Sequence, residues 1–182
     1  MNTNTEQPKN NVKYEIFGWL KVLILSAAIA LFLNNFIIAN ARVPSPSMEN
    51  TIMTGERLVG FRLSYVFSEP QRGDIVIFRF PDDEKKFYIK RIIGLPGDVV
   101  DIKEGQVYLN DSDTPLQEDY IKEAMVPEAE ARYEVPEGAY FCLGDNRNGS
   151  KDSRRWNNPY VYRNKIIAKA IFSYFPKIKL LH

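Results

Sequence analysis

The chain has 182 residues, 24 basic and 23 acidic side chains and a formal net charge of +1. That length suffices for one modest domain with its own core plus an appendage, and the charge gives no global field on which to rest an affinity for nucleic acid. One cysteine, Cys142, excludes an internal disulfide; one histidine, the terminal His182, argues against a Ser-His-Asp triad or a histidine-bound metal, leaving acid–base chemistry to Lys, Asp, Glu or Tyr.

Residues 1–15 are polar, lack apolar periodicity and read as a short mobile tail. Ile16 to Ala39 is the membrane-length apolar run, about 36 Å as a helix at 1.5 Å per residue, against a hydrocarbon core of about 30 Å. Lys21 can snorkel to the headgroups, Phe17 and Trp19 suit an interfacial belt, and Asn34 and Asn35 dilute the far end. Lys9, Lys13 and Lys21 precede the apolar core and Arg42 follows it. The positive-inside bias therefore puts the N-terminus in the cytoplasm and residues 42–182 outside, with membrane lipid as a partner. A cleaved secretory signal is the other reading, with Val22 to Leu33 as its apolar region and Ala39-Asn40-Ala41 as a small-x-small cleavage site. The apolar character continues through Phe36-Ile37-Ile38, which favours a retained anchor.

From Arg57 onward the pattern is short strands broken by turn chemistry, and the fold class is mainly β. Strands are expected over Arg57–Phe61, Asp74–Phe80, Phe87–Leu95, Val99–Ile102, Gln106–Leu109, Ala139–Leu143 and Ile166–Tyr174. Turns are expected at Arg72-Gly73-Asp74, Pro96-Gly97-Asp98, Lys103-Glu104-Gly105, Asn110-Asp111 and Pro136-Glu137-Gly138. Asp111 to Glu137, acidic and without strand alternation, reads as a solvated excursion. Residues 147–182 are basic and interleaved with aromatics, a pattern that fits an anionic surface but more often marks a solvated face over an aromatic core.

Three stretches could carry chemistry. Ser47, in Val43-Pro44-Ser45-Pro46-Ser47-Met48, lies just beyond the anchor, where a Pro/Ser-rich stretch is more often linker. Lys90 and Arg91 interrupt the strongly β-prone Phe87 to Gly94; alternation sends them to opposite faces, so if both faces pack, at least one cation is desolvated. Burial can pull a lysine toward a pKa of about 7 to 8, useful for a general base, whereas arginine stays charged. Gly144 to Arg154 is dense in glycine, hydroxyl, amide and opposed charge. It reads either as a surface turn or as a network that orients a buried base, with Asp145 available to Arg91.

Taken together, the anchor, Ser45-Pro46-Ser47-Met48, Arg72-Gly73-Asp74-Ile75-Val76, Lys90 to Asp98 and Gly144 to Arg154 resemble the type I (leader) signal peptidases, membrane-anchored Ser-Lys proteases. The resemblance implies an antiparallel β-sheet catalytic domain outside the membrane, no cofactor, no metal and preproteins with signal peptides as substrates. It implies Ser47 as nucleophile and Lys90 as general base, with the Ser47 backbone N–H and the Ser45 hydroxyl as oxyanion donors. Ser150 matches the hydroxyl that orients the lysine, and Asp145, Arg91, Asp152 and Arg154 match a supporting ion-pair network. Val43, Pro44, Met48, Ile52, Tyr88 and Ile89 match walls of shallow pockets for an Ala-x-Ala site, a motif that Ala39-Asn40-Ala41 itself carries.

Two departures bear on loop stiffness. The family usually continues Ser-Met-x-Pro-Thr, whereas Asn50 stands here in place of the proline, and Asn148-Gly149 replaces the usual Asp-Asn. Two rival readings remain. One is a self-cleaving Ser-Lys protease of the SOS-repressor group, which the anchor disfavours. The other is a membrane-tethered β-domain that binds lipid or an envelope protein without catalysis.

Overall fold

The computed structural model describes residues 11–181. They fall into two units, one ending at Ile37 and the other beginning at Ile38.

The first unit is a helix, α1 (Asn11–Phe32), continued by a wider π turn over Leu33–Ile37. Lys13–Ile37 is long and apolar enough to cross a membrane, and its large apolar side chains are exposed. The helix is offset from the expected Ile16–Ala39 at both ends. It already includes residues 11–15 of the expected tail, whose first ten residues lie outside the described ones, as does His182. At the far end Ile38 and Ala39 belong to a strand. Asn34 and Asn35 offer their backbone competing hydrogen bonds, and the β-branched Ile37-Ile38 that follows suits extended chain better than helix.

The second unit is antiparallel β throughout. Its strands are β1 (Ile38–Arg42), β2 (Arg57–Phe61), β3 (Ile75–Phe80), β4 (Asp83–Gly94), β5 (Val99–Lys103), β6 (Gln106–Leu109), β7 (Ala131–Glu134), β8 (Ala139–Leu143), β9 (Tyr160–Tyr162), β10 (Ile166–Phe175) and β11 (Lys179–Leu180). The larger sheet runs β1-β2-β10-β3-β4-β8-β9, with β11 also on β10, and the smaller runs β6-β5-β7. All seven expected strands form. Four short strands were not expected: β1 was hidden at the end of the apolar run, β7 lies in the acidic excursion, and β9 and β11 are three and two residues long. The excursion is therefore not wholly solvated. Tyr133 of β7 and the adjoining Val135 pack on Ile93, Val100 and Phe141.

Each expected turn contains a residue in the left-handed region: Gly73, Gly97, Gly105, Gly138, and the pair Asn110 and Asp111. At Gly105 a side chain would also strike the carbonyl of Met125, so this turn and the excursion require glycine together.

β4 is the strand around which the site is arranged. It lies between β3 and β8 with Lys90 opposite Val76, and Arg91 opposite Ile75 and Leu143. Tyr88 and Ile92 face a core of Val76, Phe78, Cys142 and Trp156, while Ile93 faces Val100 and Leu143. With both faces packed, Lys90 and Arg91 are 3% and 2% exposed, so both cations are desolvated rather than one. The connection from β1 to β2 carries Ser47, and the connection from β8 to β9 carries Gly144 to Arg154.

Candidate active site

Ser47 sits in a single 3₁₀ turn, Pro46–Met48, entered from an extended Ser45. Proline suits the first helical position because its φ is preset and its missing N–H would be unpaired there. Met48 and Ile52 anchor the turn in the core beside Val43, Leu58 and Ile77. Ile52 N–H donates to Met48 O at 2.7 Å, and Asn146 holds the turn from the other side, donating from Nδ2 to Pro46 O at 3.0 Å and from its backbone N–H to Ser47 O at 3.2 Å.

Lys90 Nζ lies 2.6 Å from Ser47 Oγ and donates to Ile89 O at 3.1 Å. Burial lowers the Lys90 pKa to about 8, partly opposed by the negative charge of Asp152 and Asp145. The neighbouring Cys142 thiol is pushed up by its own burial and stays protonated. Ser45 Oγ, expected as an oxyanion donor, is 3.3 Å from Ser47 Oγ, within a weak hydrogen bond of it.

Behind this pair stands a layer of charges. Arg91 grips Asp145 with two parallel bonds, Nε to Oδ1 at 2.9 Å and Nη2 to Oδ2 at 2.7 Å, and donates to Gly73 O at 2.8 Å. Asp152 accepts from Gly144 N–H at 3.0 Å and from Arg154 Nε at 2.8 Å. Both expected ion pairs therefore form. Ser150 departs from expectation: its hydroxyl is buried without a hydrogen-bond partner and does not bond Lys90. It packs instead against Gly144, where an added methyl would overlap both Ser150 Oγ and Ser47 O. Gly144→Ala is thus expected to cost about 1–3 kcal/mol of stability by overpacking. It should also lower kcat by about tenfold or more, checked by pairing thermal melts with single-substrate kinetics.

Several contributors were not singled out from the sequence. Thr51 Oγ1 donates to Asp145 Oδ2 at 2.5 Å. Glu118 takes both arms of Arg147, at 2.6 and 2.5 Å, and Arg147 Nε donates to Gly144 O at 3.1 Å. Tyr120 lies under the Arg91 guanidinium, 3.9 Å from ring centroid to Cζ. Thr51 had a signal, because it occupies the threonine of the Ser-Met-x-Pro-Thr pattern. Glu118 and Tyr120 had none.

Residues 16–175 match the model of the family described as signal peptidase, peptidase S26. The chain belongs to that family. It is 38% identical over 164 residues to a probable signal peptidase I-1 of Synechocystis sp., covering 86% of this chain and 81% of the relative. It is 35% identical over 182 residues to a signal peptidase I of Bacillus licheniformis, covering 94% and 95%. A crystal structure of a signal peptidase I from Enterococcus faecalis V583 is 33% identical, covers 56% of this chain and 97% of that one, and superposes with a TM-score of 0.47.

As a member of the signal peptidase family this chain is a peptidase, and its two departures from the family pattern have a physical account. Asn50 has φ of 88°, which proline cannot adopt and asparagine tolerates. Its side chain donates to Tyr120 O at 3.0 Å and Ile121 O at 3.3 Å, so the turn is tied by hydrogen bonds where a proline ring would stiffen it. Asn148 is tied likewise, accepting from Val126 N–H and donating to Ala124 O.

A groove of about 390 Å³ opens over Ser47 and Lys90, walled by Val43, Pro44, Met48, Tyr88 and Ile89. Ile52, expected in that wall, does not line it. The bond to Met48 O turns Ile52 inward, where it is fully buried in the core. The alternating Ala39-Asn40-Ala41 is held in β1, paired residue for residue with Gly60, Val59 and Leu58 of β2.

Proposed function

We propose that the chain is a signal peptidase I that removes N-terminal signal peptides from secreted preproteins after an Ala-x-Ala-type site, with Ser47 as nucleophile and Lys90 as general base. The observation that carries this reading is the 2.6 Å contact between Ser47 Oγ and a lysine amine whose burial brings its pKa to about 8. An extended substrate lies in the groove between Val43-Pro44 and Tyr88-Ile89, its small side chains directed into the wall.

In its neutral form Lys90 accepts the Ser47 proton as Oγ attacks the scissile carbonyl carbon, and negative charge develops on the carbonyl oxygen. The Ser47 backbone N–H and the Ser45 hydroxyl stabilise that charge; one such donor contributes about 3–4 kcal/mol in comparable sites. The C–N bond breaks as Lys90 returns its proton to the leaving amine, leaving an ester on Ser47. Lys90 next takes a proton from water, the hydroxide attacks the ester carbon, and the proton returns to Ser47 Oγ.

A neutral amine has one lone pair and two N–H groups. Ser47 uses the lone pair and Ile89 O one N–H, which leaves one donor that Ser150, the expected orienting hydroxyl, does not take up in this structure, so the orienting role would need its buried, unpartnered oxygen to move into reach of Lys90. Asp145, Arg91, Asp152 and Arg154 hold the segment that carries Ser150. The helix is the retained anchor, with the N-terminus in the cytoplasm and the β-domain, residues 42–182, outside, beside membrane lipid and with no nucleic acid as partner. The chain's own Ala39-Asn40-Ala41 is a paired strand of the sheet, with Ala41 part of the groove's lining, rather than a free segment available as substrate.

The test is cleavage of a purified preprotein by the full chain in detergent, with mass spectrometry of the product's N-terminus. One cut after the second small residue is expected, unaffected by EDTA and absent in Ser47→Ala. Failure of the wild-type chain to cut, or undiminished cutting by Ser47→Ala, would overturn the reading.

A further inference from the structure

The groove carries charge of one sign. Of the residues that line it, only Arg42, Lys90 and Lys151 are charged in their ordinary state, and none is acidic. Lys90 is buried, whereas Arg42 and Lys151 are exposed. Neither has an ion-pair partner among the described residues. Exposed cations are ordinary, but on this surface many are matched: Lys86 to Asp83, Arg132 to Asp101 and Asp111, Arg155 to Glu128, Lys165 to Glu84 and Lys169 to Asp74. Lys85, Lys103 and Lys177 are also without an ion pair among the described residues, but Arg42 and Lys151 are the exposed unpaired cations that line the groove, where no acidic side chain accompanies them. Arg57, opposite Arg42 in the β1–β2 register, adds to the positive side rather than neutralising it.

We propose that Arg42 and Lys151 make this peptidase selective for an acidic side chain close to the scissile bond. The inference rests on the peptidase reading and extends it from the small residues in the wall to the charge at the rim. Lys151 directly follows Ser150 and accompanies Gly149 in lining the groove; Arg42 directly precedes Val43 of the wall. An extended substrate alternates its side chains. With the first and third residues before the bond turned into the wall, the second before it and the first after it face the rim. A carboxylate there meets two uncompensated cations, and a lysine is repelled by the same two. The groups are exposed, so the preference is electrostatic, acts on encounter as well as on binding, and is screened by salt over a Debye length of about 10 Å at 0.1 M.

The experiment uses the full chain in neutral detergent, where no anionic lipid competes, and three preproteins that differ only in carrying Glu, Gln or Lys at one rim-facing position. The quantity read is the ratio of kcat/KM for Glu over Lys within each enzyme, which cancels any change in folding or in the reacting groups. At low ionic strength a ratio of about fivefold or more is expected, shrinking to within about twofold at high salt. Combining Arg42→Glu with Lys151→Glu should bring the ratio below one. A wild-type ratio near one at every rim-facing position, with the Gln substrate cut normally, would overturn the inference and leave the peptidase reading intact. So would a ratio that the double substitution leaves unchanged. If no substrate is cut by the wild-type chain, the underlying reading fails and the inference with it.

Discussion

Lys90→Met is expected to lower kcat by on the order of 10²- to 10⁴-fold, the range for loss of a general base, while KM stays within about threefold. Methionine fills the buried space and lacks a proton-accepting amine, so the loss falls on the chemical step. The wild-type pH profile should show the same group. Lys90 acts only when neutral, so kcat/KM should rise about tenfold per pH unit toward the pKa of about 8 and level off above it. The sign for stability follows from the same depressed value. Between about 8 and the unfolded pKa of about 10.4, the unfolded chain holds a proton that the folded one lacks, so folding stability rises with pH across that window. Below it the full cost of burying an ammonium persists, about 3 kcal/mol for a shift of this size. Lys90→Met should therefore be more stable than wild type near neutral pH by up to about that amount, with the alkaline rise in stability gone. Denaturant titrations at two pH values beside steady-state kinetics give both results. More than about a tenth of wild-type kcat remaining, or an activity profile flat through pH 8, would remove Lys90 from proton transfer.

Where sequence and structure agree, the governing interactions are local. Alternation around Lys90-Arg91 predicts opposite faces, and Ile92 and Ile93 do face different cores. Glycine-bearing turns predict left-handed backbone, and the glycines adopt it. Disagreement begins where a residue's role is set by a distant partner. Glu118 lies in an acidic run that reads as solvated, yet it is buried against Arg147, 29 positions later, and Asn50 is fixed by carbonyls 70 and 71 positions away. Ile52 has the apolar character of a pocket wall, but one backbone bond to Met48 turns it into the core. β1 was obscured for a different reason: Ile38 and Ala39 extend an apolar run without interruption, and the change from helix to strand follows a pair of asparagines.

Asp145→Ala is expected to cost about 3–5 kcal/mol, the usual result of removing one partner of a buried ion pair. Against the roughly 5–15 kcal/mol that holds a domain together, that is enough to leave much of the protein unfolded in mild denaturant. The cost is large because of what remains. Arg91 is 2% exposed and would retain Gly73 O and the Tyr120 ring but no counter-charge. Thr51 Oγ1 would lose its 2.5 Å acceptor at the same time, loosening the end of the turn that carries Ser47. Replacing both partners by apolar residues, as Arg91→Met with Asp145→Leu, removes the stranded charge and should recover most of the loss, so the double variant should be more stable than Asp145→Ala. Asp145→Asn isolates the charge from the shape. It removes a negative group that opposes deprotonation of Lys90, so the acid limb of activity should move to lower pH in whatever fraction stays folded. Urea titrations of the single and double variants check the first result, and the pH profile of Asp145→Asn checks the second. If the substitutions destabilise additively, the Arg91–Asp145 pair does not couple β4 to the connection that carries Asp145, and if the acid limb moves to higher pH, Asp145 does not set the field at Lys90.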